Sequence, residues 1–434
     1  MMGQGKDDEH DHLHYHGVDK AEKHLSVSEA LELFLSQIRP VKSENVYVTD
    51  SNNRVLFTDI TSPTNLPRLP RSTRDGYAIK ISSALKDLSG SIFKIIGEVR
   101  IGVIPKLTLN EGQAAKIATG AFVPRGADAV VMREYGEVQE GYLKVTRQVR
   151  IGENILSPGE DLKKGQVLFK AGTRMRPHHI ALLSLVGVSQ IRVFAKPHVA
   201  LFSTGDELMN ANQKDRKNKR IKKSKAATND ATRPFLSSFV RELGGVTEDL
   251  GIARDNYDEI RSRMIRGLEY DALVLSAGSS VGERDYVTRS AESISGLNMV
   301  VHGVAMRPSS PTGLAVYRGK PVIFLPGFPT SAIVSFFVFG RPSILKLSGN
   351  LSSETPTFKA SIEEDFEGKP GITHFLRVRL VFDGEKYRAT IVRPTEAQYA
   401  SWLHEANGIA IIGRDGKTKL ARGELVPVWL IGDV

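Results

Sequence analysis

The sequence predicts a multidomain α/β protein, in which a doubly wound α/β domain is flanked by small β-rich domains and followed by a C-terminal β domain. Three observations predict it. The chain has 434 residues, more than the roughly 100 to 200 that one core organises. Residues 196–347 alternate short apolar strands with helical segments, the pattern of a parallel sheet covered by helices on both faces. After Gly349 the apolar period falls to two, as in half-buried strands. With 41% apolar and 25% charged residues, the composition is that of a folded globular chain.

The elements follow in order. Residues 1–24 carry His10, His12, His14, His16 and His24, five of the eleven histidines. They read as a disordered tail, or as a mobile imidazole site for zinc, copper or nickel. Ser26 and Glu29 form a capping box ahead of an amphipathic helix. Residues 65–154 are short runs broken by Gly and Pro, which predicts a small β domain. A helix over Pro177–Leu185 stops before Gly187. The region 195–347 is the doubly wound domain, and 348–434 a separate small β domain. The longest apolar run, Ile333 to Gly340, stops at Arg341 and Pro342, well short of the roughly 20 residues that cross a bilayer, so no membrane span is expected. The first residues lack the basic start and apolar stretch of a secretory signal. With no cysteine, disulfides, thiolate metal sites and cysteine nucleophiles are excluded.

The net charge is +10, and residues 214–225 alone hold eight basic side chains and one acid, so +7 of it lies in twelve residues. This is a basic loop on an otherwise nearly neutral protein. It reads either as a steering element for a polyanion or as a solvated insertion. Nucleic-acid binding is not expected, because no aromatic residues interleave the loop and no helix-turn-helix, RRM or zinc-finger pattern accompanies it.

Ligands of doubly wound sheets sit outside the carboxyl ends of the strands. There the chain places Ser203, Thr204, Gly205 and Glu207. Gly278, Ser279, Ser280 and Gly282 have the composition of an anion-cradling turn. The carboxylates Glu207, Asp255 and Asp285 suit a hard cation such as Mg2+ shared with substrate phosphate, although each also suits a helix cap or a solvated loop. Arg307, Pro308, Ser309, Ser310 and Pro311 form one Pro-bracketed turn, and the segment around Gly327 a second. Such turns would hold a small oxyanion, or are simply tight turns. No GxSxG, Walker or HExxH pattern is present.

In order and spacing, eight segments resemble the molybdenumtransferase family of molybdenum cofactor biosynthesis, which includes the MoeA proteins and the E domain of gephyrin. They are SPTNLPRLPRSTRDGYAI (62–79), IATGAFVPRGADAVVMREY (117–135), ENILSPGEDLKKGQVLFKAGTRM (153–175), VALFSTGDEL (199–208), GIARD (251–255), SAGSSVGERDYV (276–287), MRPSSP (306–311) and FLPGFPTSA (324–332). The resemblance spans nearly all of residues 26–434. It implies a cytoplasmic homodimer with a MogA-like doubly wound domain at 195–347, a small β domain at 65–154, a linker and dimerisation domain from 25–64 plus 155–194, and a C-terminal β-barrel-like domain at 348–434. It implies that adenylylated molybdopterin is the substrate, that a divalent cation assists, and that molybdate or tungstate is inserted as AMP leaves. The molybdopterin adenylyltransferase is an implied partner.

Matched by position, the functional acids implied are Asp75, Asp161, Glu207, Asp255 and Asp285, with Thr119 as the hydroxyl of the ATG turn. Glu207 and Asp285 fall on the metal side. Arg377 in FLRVRL matches a substrate-binding position. Several segments depart from the family pattern. RSTRDGYA replaces the typical NSAMDGYA, bringing in Arg71 and Arg74, and AGSSVG replaces GGVSVG. PGKP becomes Pro308-Ser309-Ser310-Pro311, LPGNP becomes LPGFP with Phe328, and Ala400 stands where a serine is expected. These last changes bear on oxyanion binding. The expected function is the transferase, and the alternative is a catalytically impaired pterin-binding paralogue or scaffold.

Overall fold

The computed structural model describes residues 24–81, 88–210, 227–277, 286–350, 357–413 and 416–433. The His-rich tail up to residue 23 and the basic loop at 214–225 lie outside these residues. The chain forms two compact units, one of residues up to Val41 together with Lys196–Val434, the other Lys42–Ala195.

The first unit is built on a six-stranded sheet in the order Val246–Ala253, His198–Thr204, Ala272–Ala277, Lys320–Pro326, Gly313–Tyr317, Leu297–His302. The first four strands are parallel. Along His198–Thr204 both faces are buried: Val199 and Leu201 enter one core, Ala200 and Phe202 the other. That double burial is why these strands read as continuous apolar runs. Gly313–Tyr317 runs antiparallel to both its neighbours, so the sheet is mixed, where a wholly parallel one was expected. Arg318 and Gly319, at φ +53° and +82°, close a two-residue hairpin of the type that fits strand twist. So short a connection leaves no room for a crossover helix.

The helix Val27–Ser36 starts as predicted, with Ser26 Oγ accepting from Glu29 N at 3.3 Å and Glu29 Oε2 accepting from Ser26 N at 2.9 Å. Its apolar face, Val27, Ala30 and Phe34, enters the same core as Val199, Val301 and Leu314. Residues 25–41 therefore pack with the α/β unit and not with the linker segment to which 25–64 was assigned. The reason is burial: a fully covered Phe34 needs a large apolar partner surface.

The apolar run Ile333 to Gly340 lies within a longer helical segment, Pro329–Leu347, with a π-helical stretch at Phe336–Gly340. A widened turn accommodates Pro342, which has no N–H to give to the ladder. By length and composition this helix could cross a membrane, yet 89% of its apolar window is buried within the fold, as befits a core helix.

The C-terminal strands Thr373–Phe382, Tyr387–Ile391, Phe358–Ile362, Leu425–Leu430 and Gly408–Ile412 pair in that order, and the last pairs back with the first. The result is a closed five-stranded barrel. It is not a separate body: Met306–Arg307 adds to it beside Thr373 and His374, and Trp429 stacks between Phe337 of the long helix and Phe375 of the barrel.

The second unit carries a six-stranded sheet in the order Ala129–Met132, Gly76–Ile79, Gln113–Ile117, Ile92–Val99, Tyr142–Val145, Gly136–Gln139. Beside it, Ser43–Tyr47 pairs with Gln190–Phe194, and the helix Pro177–Leu185 forms as predicted.

Candidate functional site

The register of the parallel strands sets one edge of the α/β unit. Ser203 is level with Ser276 and Ile252, and Ser276 with Leu325, so these strands all end at the same edge. Ser276 Oγ donates to Ser203 Oγ at 3.1 Å, and both residues are buried. Beyond them Gly205 N donates to Ala253 O at 3.2 Å, which ties the first loop to the strand that leads into Asp255. A Cβ on Gly205 would stand 2.9 Å from both carboxylate oxygens of Glu207, so the glycine is what lets that carboxylate fold back onto the strand end. Asp255 N reaches Asp206 Oδ1 at 3.4 Å. Glu207 and Asp255 are both exposed and lie on neighbouring loops of this edge. Gly278, Ser279, Ser280, Gly282 and Asp285 follow the strand Ala272–Ala277 and lie outside the described residues.

Oxygen donors of this kind fit a hard cation. Among the described residues, however, no group of three His, Asp or Glu side chains converges on one point. A magnesium ion needs only one or two carboxylates when phosphate and water complete its shell.

Three of the segments that depart from the family pattern, those of Pro308–Pro311, Phe328 and Ala400, meet around the start of the helix at Pro329. Ser309, at φ +90° and buried, donates its hydroxyl to Ser331 O at 2.6 Å. Thr312 Oγ1 donates to Ser309 O at 2.8 Å. Arg307, Ser310 and Pro311 complete this turn, and Gly327 and Phe328 are exposed ahead of the helix. Thr330 Oγ1 donates to Tyr399 O at 2.9 Å and accepts from Trp402 Nε1 at 2.7 Å. The guanidinium of Arg377 lies 5.9 Å from the centre of the Trp402 ring. Burial pushes its pKa down, against the opposing charge of Glu396. His374 is likewise pushed down, by burial first and by Arg307 second.

In the other unit, Asp75 follows a turn pinned by Ser72, whose Oγ donates to Arg74 O at 2.5 Å. Its Oδ1 accepts from Thr119 N at 2.7 Å and from Thr119 Oγ1 at 3.0 Å. These two donors, with Arg133 nearby, hold the carboxyl below the usual carboxylate range. Asp75 and Thr119, chosen from the sequence on separate motifs, are thus in direct contact. Asp161 sits on another exposed turn, its N–H donating to Leu66 O at 3.1 Å, and shares no hydrogen bond with them.

Three sequence profiles match this chain in succession: the MoeA N-terminal region (domain I and II) over residues 25–187, a probable molybdopterin binding domain over 200–346, and the MoeA C-terminal region (domain IV) over 359–431. A molybdopterin molybdenumtransferase of Staphylococcus epidermidis is 30% identical over 359 residues, covering 82% of this chain and 83% of the relative. The chain belongs to the MoeA family. A second molybdopterin molybdenumtransferase, from Bacillus subtilis, is 29% identical and covers 94% of both chains. Among solved structures, the molybdopterin biosynthesis MoeA protein of Pyrococcus horikosii superposes with a TM-score of 0.80 at 30% identity, covering 95% of this chain and all of that one. The MoeA resemblance read from eight motifs is therefore correct, as is the expected architecture of a MogA-like domain, β-rich flanks and a barrel.

Within this MoeA chain, Asp206, Ser276 and Thr330, which stand inside the quoted motifs at strand ends, join the site together with Trp402, which stands in none of the eight. Thr330 and Trp402 are 72 residues apart, and only the fold brings them together.

Proposed function

We propose that this MoeA-family chain is a molybdopterin molybdenumtransferase, which takes adenylylated molybdopterin and molybdate or tungstate and releases AMP and the completed cofactor. The observation that carries the reading is the alignment of Ser203, Ser276, Gly205, Glu207 and Asp255 on one strand edge, where a doubly wound sheet receives its ligand. Backbone amides and hydroxyls there suit phosphate oxygens. Glu207 and Asp285 would hold Mg2+, with Asp255 on the phosphate side. The cation would neutralise phosphate charge and activate water when bound. Arg377 and the turn around Ser309 would take the oxyanion. Asp75, Thr119 and Asp161 would come from the second subunit of a homodimer, in the cytoplasm. The molybdopterin adenylyltransferase, as the source of the adenylylated substrate, is the natural partner.

The test is to incubate the purified protein with adenylylated molybdopterin, Mg2+ and molybdate or tungstate, following AMP release and transfer of the product to an apo-enzyme. Glu207→Ala is expected to lower AMP release by about 100-fold or more, the usual cost of removing one preorganised charge-stabilising group. The occupied hydroxyls of Ser309 and Thr330 favour a second reading, a pterin-binding paralogue without insertion. Tight pterin binding with neither AMP nor transfer would establish it.

A further inference from the structure

Arg377 is a charged residue with only 1% of its surface exposed. Its Nη2 reaches one acceptor, Pro394 O, at 3.4 Å, and its buried Nε–H has no hydrogen-bond partner. A buried guanidinium this poorly satisfied is electrostatically incomplete and favours any anion that can reach it. Access is closed by the segment that follows Pro394. Trp402, also 1% exposed, lies over the guanidinium, and Glu396 supplies the opposing charge.

That segment is held down by the buried Trp402 ring, which packs in the core shared with Phe336, Phe375 and Trp429, and by two hydrogen bonds. Residues 395–401 form no strand and are mostly exposed. Their hydrogen-bonded tie to the α/β core is the Thr330 hydroxyl, which donates to Tyr399 O at 2.9 Å and accepts from Trp402 Nε1 at 2.7 Å. One side chain thus carries both bonds. Neutral hydrogen bonds contribute little net free energy each, so exposing the Trp402 ring is the main cost of opening, and an anion that satisfies Arg377 is what would offset it.

We propose that residues 394–402 are a strap that must lift from Thr330 before a tetrahedral oxyanion can reach Arg377, and that Trp402 moves with it. The proposal rests on the reading of Arg377 as part of the oxyanion site. While the strap is shut the competent state is a minor one, and the apparent affinity is reduced by its population. Glu396 competes with the incoming anion for the same guanidinium.

The chain has two tryptophans, and Trp429 is stacked between Phe337 and Phe375 in the core, so Trp402 can be followed by fluorescence. Molybdate titrated into the full-length protein should change the emission saturably, and Trp402→Phe should abolish that change. Thr330→Val removes both bonds at nearly constant volume and should lower the half-saturating molybdate concentration roughly five-fold or more. Thr330→Ser keeps the hydroxyl and should restore the original value, which separates release of the strap from general loss of packing. A wild-type protein that releases AMP and transfers cofactor at molybdate concentrations leaving Trp402 silent would overturn the strap. So would an unchanged or raised half-saturation in Thr330→Val. A protein whose Trp402 responds to molybdate but which releases no AMP would keep the strap and overturn the transferase reading.

Discussion

At the scale of single residues, the best-defined member of the candidate site is Asp75. Its carboxyl is held down first by the backbone N–H of Thr119, then by the Thr119 hydroxyl, with Arg133 adding to the effect against a small penalty from burial. A carboxyl whose folded-state pKa lies below its unfolded value favours folding above the unfolded pKa, and the contribution is lost as pH falls through the folded value. Thr119→Val removes the hydroxyl and keeps the backbone donor. The Asp75 titration midpoint, read by carboxyl-carbon NMR, should therefore rise toward the ordinary 3.8 without reaching it. A midpoint that does not move would mean that the hydroxyl contact is absent in solution. Asp75 and Thr119 were legible as separate motif residues. Their pairing was not, because 44 positions separate them and the β-sheet register alone brings them together.

At the scale of elements, close approach sets the sequence. Gly76 opens the strand that pairs with Ala129–Met132, and a Cβ there would stand 1.8 Å from Val131 O. The obstacle is a backbone carbonyl inside a ladder, which cannot rotate away as a side chain can. Gly76→Ala should force these strands apart, at a cost of about 3 kcal/mol. Hydrogen exchange on the full-length protein should show it as lost protection in Ala129–Met132. Unchanged protection there would show that the ladder yields more easily than the geometry allows. The capped helix at Val27–Ser36 and the helix Pro177–Leu185 could be read locally, since cap residues, Pro and Gly mark their ends. The destination of the first helix could not. An amphipathic pattern says that an apolar face is buried, not which core receives it.

At the scale of the whole molecule, +7 of the net +10 lies within residues 214–225. The flanks of this loop are joined independently of it: Leu208–Met209 pairs with Thr228–Asn229, and the buried Arg233 bonds to Asp230 at 3.0 Å and also to Asn210 and Asp249. Deleting 214–225 should leave the far-UV circular dichroism and the urea midpoint unchanged. The KM for a polyanionic substrate should rise at low ionic strength and converge with the wild-type value at high salt, since long-range attraction is screened there. A KM independent of the deletion at every salt concentration would reduce the loop to a solvated insertion.

The sequence by itself determined the class of the protein. Apolar periodicity distinguished the doubly wound region from the barrel, glycines and prolines marked the strand ends, and eight motifs in order identified the MoeA family. These signals are local, or depend only on order along the chain. The tertiary structure decided the rest. The sheet ends in an antiparallel hairpin because a two-residue turn at Arg318 and Gly319 follows the strand Gly313–Tyr317. The barrel shares its core with the long helix through Phe337, Trp429 and Phe375. Arg377 lies beneath Trp402, whose indole is bonded to a threonine 72 residues away. Contacts of this kind depend on which surfaces meet when apolar faces are buried together, and that choice is made by packing over the whole core, not by any segment's own pattern.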